Sequence, residues 1–179
     1  MSPRIMPLQR SEWTAEVRRA LGPLADRDPL DNVFGTFIRH PDLFRRYSPL
    51  GVHILTKSTL SARDRELAIL RIGSRNECAY EFAQHTEIGL AIGMTADEIA
   101  GIHIGPQAAV WSAFERLLLR AVDELVSEHR IGDDTWTELR QSLTEHQMMD
   151  LVFTVGTYNM ISWALNSFGV ELDDRFSDR

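Results

Sequence analysis

The stretch "SARDRELAILRIGSRNECAYEFAQHTEIGLAIG", residues 61–93, decides the fold of this 179-residue chain. Ser61 reads as a helix cap, with Asp64 at the third position of the first turn. Glu66, Leu67, Ile69, Leu70 and Ile72 then follow at helical spacing. A second helix is expected over 76–92, with Asn76 as its cap and Gly93 ending it in a left-handed conformation. The link between the two, "GSRN" (73–76), is so short that the helices must be antiparallel neighbours.

The same reading extends outward. A helix is expected over 11–20, capped by Ser11, followed by the loop "GPLADRDPLDN" (22–32). Further helices are expected near 31–39 and 41–55. "TADE" (95–98) is a capping box, and a long helix is expected over 107–129. Asp133 or Asp134 caps the next, to about 142. "TEHQ" (144–147) starts a last helix that Gly169 ends. Strand-like alternation is weak throughout. The pattern implies an all-α bundle of seven to nine helices in a single domain over 1–179. Within it, 1–29 form an N-terminal helix and loop, 30–174 the core, and 175–179 a tail. The charged end "ELDDRFSDR" is expected to be mobile unless it docks on a neighbouring subunit.

Composition narrows the function. A net charge of −7 argues against nucleic acid, because phosphate binding needs a basic patch. No run of 18 apolar residues suggests a membrane span, and the N-terminus lacks the apolar core of a signal peptide. One cysteine excludes an intrachain disulfide and a four-cysteine zinc site. A reducing cytoplasm is the expected location.

Cys78, Glu81 and His85 lie at i, i+3 and i+7, within a sector of roughly 60° on an ideal helix. The bland reading is a solvated polar face, yet His85 has apolar neighbours in sequence and Cys is a buried residue type. Glu81 and His85 could reach one metal ion, but no second such pair appears and no metal is expected. A serine hydrolase is not supported, for want of a G-x-S-x-G elbow. The acid/base reading recruits Glu66. It and His85 are each about ten residues from the link, which sets them at similar height. A carboxylate beside an imidazole fixes its tautomer and raises its basicity.

Glu66-x11-Cys78-x2-Glu81-x3-His85 resembles the motif of the carboxymuconolactone decarboxylase and alkylhydroperoxidase D superfamily. Residues 61–102 are similar to its core, and "VGTYNMISWALNSFGVELDD" (155–174) to the C-terminal part of its longer members. The resemblance covers 30–174. It implies helical subunits assembled as homo-oligomers, trimers or hexamers, with the site where Glu66, Glu81 and His85 meet. It implies a cofactor-free decarboxylase- or isomerase-like enzyme acting on a small, cyclic or aromatic-derived, anionic substrate. Arg71 or Arg75 would hold the anion, although a plain surface charge at a helix end is the simpler reading.

The peroxidase branch is the alternative. It carries Glu-x11-Cys-x2-Cys-x3-His, and this chain has Glu81 in place of the second cysteine. Cys78 would then need an external thiol, and a nearby carboxylate disfavours its thiolate. A non-catalytic oligomer that binds a small ligand is a third, weaker reading. Tyr158 and Asn159 lie in the similar C-terminal segment, with a subunit contact or a supporting role near the site both open.

Overall fold

In a computed structural model that describes residues 3–176, the chain is all-helical. Among these residues there are nine α-helices and no strand: α1 (Ala15–Leu21), α2 (Asn32–Phe37), α3 (Pro41–Lys57), α4 (Ala62–Arg75), α5 (Ala79–Ala91), α6 (Ala96–Ile104), α7 (Ala113–Ser127), α8 (Asp133–Leu139) and α9 (Glu145–Phe168). The described residues divide into two compact units, residues 57–163 and residues 3–56 with 164–176.

The 57–163 unit is organised on α4. Leu67, Ala68, Ile69, Leu70 and Ile72 are fully buried, and α4 packs on α5, α6 and α7. A helix covered on three sides needs apolar residues almost all round, which explains its long run of buried positions. Ser61 Oγ accepts from the Asp64 amide at 3.0 Å, so the expected cap is present. The capping boxes at Thr95–Glu98 and Thr144–Gln147 are also present. Arg63 ties two helix starts together. It pairs with Glu98 at 2.5 Å and Glu115 at 2.7 Å, the carboxylates that close the boxes of α6 and α7.

Several helix boundaries differ from expectation, among them α8, whose N-cap is Gly132 rather than Asp133 or Asp134 and which ends at Leu139. α7 begins at Ala113, not 107, because Ser112 and Glu115 form a capping box; residues 107–112 are irregular. Asn76 ends α4 rather than starting α5, and Cys78, in extended backbone, is the N-cap of α5. Between them Glu77 takes a left-handed φ of 50°, which reverses the chain in fewer residues than expected. Gly73 permits the closeness: a Cβ there would lie 3.3 Å from the Phe82 amide nitrogen.

In the other unit, Trp13, Val17, Leu21, Ile38 and Phe44 form the core. The first helix starts late. Residues 10–12 make a 3₁₀ turn, Trp13 is extended and buried, and Thr14 rather than Ser11 caps α1. Gly169, with φ 67°, follows α9. The charged end is fixed within the chain over its described part. Asp173 accepts from the Asn32 amide at 2.7 Å, Arg175 pairs with Asp31 at 2.6 Å, and Phe176 is buried. Residues 177–179 of the expected tail lie outside the described residues.

Candidate active site

Glu66 on α4 and His85 on α5 face each other, because the short reversal sets the helices antiparallel. His85 Nδ1 lies 2.5 Å from Glu66 Oε2, and His85 Nε2 lies 3.0 Å from Glu81 Oε1, one turn back on α5. All three side chains are buried, Glu66 completely. Arg65 Nε holds the other Glu66 oxygen at 3.1 Å. Tyr158 of α9 meets the imidazole edge-on, with ring centroids 5.0 Å apart. The imidazole is therefore held by a carboxylate on each nitrogen and by an aromatic wall.

The electrostatics follow from that cage. Burial alone would lower the imidazolium pKa, but hydrogen bonds and charge from Glu66 and Glu81 outweigh it and raise it to about 9. His85 is thus a cation at neutral pH, with one proton shared toward each carboxylate.

Cys78 behaves in the opposite sense. It is 1% exposed. Burial pushes its thiol up to about 11, with the Glu81 charge adding to the effect. The nearby backbone of Glu81 and Tyr80 and the Ser162 hydroxyl offset it only in part. The helix start does not make a thiolate here.

Beside Cys78 opens a groove of about 400 Å³, lined by Gly73, Ser74, Cys78, Ala79, Phe82 and His103, with Glu77 and Ala83 completing its wall. Glu66, Glu81 and His85 do not line it, and Cys78 is the residue common to groove and cluster. No lysine or arginine lines it.

The two arginines assigned to an anionic substrate are placed elsewhere. Arg71 is buried, not a surface charge. It forks onto Asp123 of α7 at 2.8 and 2.9 Å and donates to the Ile102 carbonyl at 2.6 Å. Gly105 makes room for it, since a Cβ there would meet Arg71 Nη2 at 2.6 Å. Arg75 is more exposed and lies 3.6 Å from the same Asp123. Both serve the α4–α7 contact.

Some contributors escaped the sequence reading, and for Tyr158 and Asn159 it left the role open. Arg65 neighbours Glu66 in sequence, where side chains normally diverge on a helix. Asn159 of α9 accepts from Asn76 at 2.7 Å, across the reversal between α4 and α5. Tyr158 and Asn159 thus support the cluster and its turn. Ser74, Phe82 and His103 carried no motif.

Residues 41–124 match the carboxymuconolactone decarboxylase family. The protein YdfG of Bacillus subtilis is 25% identical over 125 residues, which span 69% of this chain and 82% of YdfG. An alkylhydroperoxidase AhpD core protein from Ralstonia eutropha, described as peroxidase-related, superposes with a TM-score of 0.83 at 18% identity, covering 97% of this chain and 94% of that one. The debrominase Bmp8, as a cysteine-to-alanine variant in complex with 2,3,4-tribromopyrrole, superposes with a TM-score of 0.74 at 16% identity, covering 97% and 94%. Residues 41–124 of this chain thus resemble the carboxymuconolactone decarboxylase family, and its fold is that of the AhpD-like proteins.

Proposed function

We propose that this protein is a cofactor-free enzyme of the decarboxylase or isomerase type, moving protons on a small cyclic substrate. The observation that carries the reading is the imidazole of His85 clamped between Glu66 and Glu81 at 2.5 and 3.0 Å. In a decarboxylation, the bond from carbon to CO2 breaks and its electron pair enters the unsaturated ring system. CO2 leaves, and a proton from the His85–Glu81 pair goes to carbon. In an isomerisation, Glu81 takes a proton from carbon and the pair returns one at the far end of the conjugated system. Glu66 stabilises the imidazolium in both.

Of the two, the isomerisation asks for no carboxylate partner, and the groove beside Cys78, which the cluster does not itself line, offers none. A carboxylate substrate would meet Glu77 at the rim and no arginine, because Arg71 is taken by Asp123.

Thiol chemistry at Cys78 is the second reading, and the groove that opens on Cys78 favours it. There the thiolate attacks a peroxide oxygen, the O–O bond breaks, and a sulfenic acid forms. An external thiol then condenses with it and a second reduces the disulfide. Bmp8 binds a brominated pyrrole as a cysteine-to-alanine variant, which is in keeping with this reading. The raised thiol pKa weighs against this reading.

The separating experiment incubates the protein in D2O with unsaturated lactone acids and cyclic enones, following CO2 release and deuterium uptake. In parallel, hydroperoxide consumption is followed with a dithiol. Proton-transfer activity lost in Glu81→Gln and kept in Cys78→Ser supports the first reading; hydroperoxide turnover abolished by Cys78→Ser supports the second.

The same proposal includes self-association. On α9, Met149, Phe153, Met160 and Trp163 are exposed at spacings of four, seven and three residues. Gly156 fills the gap with nothing near its Cβ position. A stripe repeating every 3.5 residues is the pattern two helices use to pack together.

A further inference from the structure

We propose that the groove beside Cys78 binds a small, uncharged aromatic ring bearing one hydroxyl or ring N–H, with His103 as the residue that selects it. It rests on the proton-transfer reading in one respect: the bound ring is the unsaturated part of that reading's substrate.

The size is right for one substituted ring. About 150 Å³ suffices to hold benzene in an apolar cavity, and this groove offers about 400 Å³. Its wall is aromatic. The rings of Phe82 and His103 stack at 4.3 Å with an interplanar angle of 28°. Stacked as a pair, they present a flat outer face and a row of ring edges. Both suit another aromatic ring better than a saturated one.

The polar feature is equally specific. His103 Nδ1 and Ser74 Oγ are 3.0 Å apart, which fixes the imidazole within the groove. Its other nitrogen, Nε2, is left to a ligand's hydroxyl or N–H. Charge decides against an anion. The lining holds no lysine or arginine, and Glu77 adds a carboxylate at the wall. A fully ionised ligand would lose solvation there without gaining a partner.

His103 and Ser74 stand on α6 and α4 and Phe82 on α5, three helices that pack on one another. The recognition surface is therefore set by the same packing that sets the cluster, while using none of the Glu66, Glu81 or His85 side chains.

The test is a binding titration without turnover. Phenol, benzoate and cyclohexanol are titrated at neutral pH into protein labelled at its histidine and phenylalanine rings, with ring signals read by NMR. Phenol is expected to shift His103 and Phe82, and to bind about tenfold tighter than benzoate or cyclohexanol. His103→Leu, at an exposed position that leaves folding intact, should weaken phenol about tenfold and abolish its preference over cyclohexanol. Glu81→Gln should leave phenol binding within about twofold while removing proton transfer, which separates the two readings. Benzoate binding as tightly as phenol overturns the inference. So does a response confined to His85, an unchanged affinity in His103→Leu, or no saturable binding of any probe.

Discussion

Glu66 Oε2 stands 2.5 Å from His85 Nδ1, across 19 residues and a two-helix reversal, with both side chains buried. This relationship gives the cluster a pH signature. The folded pKa of His85, about 9, lies above the ordinary 6.5. The stabilisation it brings is complete below pH 6.5 and is lost as pH rises through 9. Its size is roughly 3 kcal/mol. Urea unfolding should show stability falling between pH 6.5 and 9.5, with Glu66→Gln flattening most of that slope. A wild-type curve that is flat or rises over this window contradicts the charged imidazole.

Arg71 is expected to matter for stability and not for ligand affinity. Arg71→Met leaves the Ile102 carbonyl without its donor and Asp123 with only the more distant Arg75, at a cost of about 2–4 kcal/mol given that Asp123 is part-exposed. Gly105→Ala should destabilise through the same contact, by about 2 kcal/mol or more, since φ is 91° and the methyl would strike the guanidinium. Chemical denaturation measures both. A Kd for phenol that rises tenfold in Arg71→Met, with stability unchanged, would return Arg71 to the substrate.

These two outcomes trace what the sequence revealed. The hairpin and its cluster were legible because local signals agreed: Ser61 as a cap, Gly93 as a stop, and a short link that sets heights by counting. The role of Arg71 was not. Its partner Asp123 is 52 residues away, and a charge in helix α4 reads locally as solvated. The shift of Cys78 from helix face to N-cap was also hidden. Cys is not a capping residue type, and only a left-handed Glu77 permits the earlier reversal. Ser112 was legible in principle, as S-x-x-E at 112–115, but the apolar residues before it extended the apparent helix.

Self-association is expected through the α9 stripe. Light scattering at micromolar concentration should give a mass that is a multiple of 20.4 kDa. Phe153→Lys with Trp163→Glu should shift it to a smaller species, because both side chains are exposed and each would place a charge in an apolar seam. The His85 titration should survive the change. A 20.4 kDa particle for the unmutated chain contradicts the proposal.

Tyr158 is expected to position His85. Tyr158→Leu removes the aromatic edge that limits the imidazole's rotation and should lower turnover by about tenfold, with Tyr158→Phe restoring most of it. Proton-transfer rates for the two variants, compared with their His85 titrations, measure this.

The most direct test of a proton-transfer site rather than a thiol site is the alkylation rate of Cys78 by iodoacetamide as a function of pH. The surroundings of the thiol place its midpoint near 11, with slow modification at pH 7. A midpoint well below 7, in the range of activated cysteines, would contradict the account and make Cys78 the reactive group.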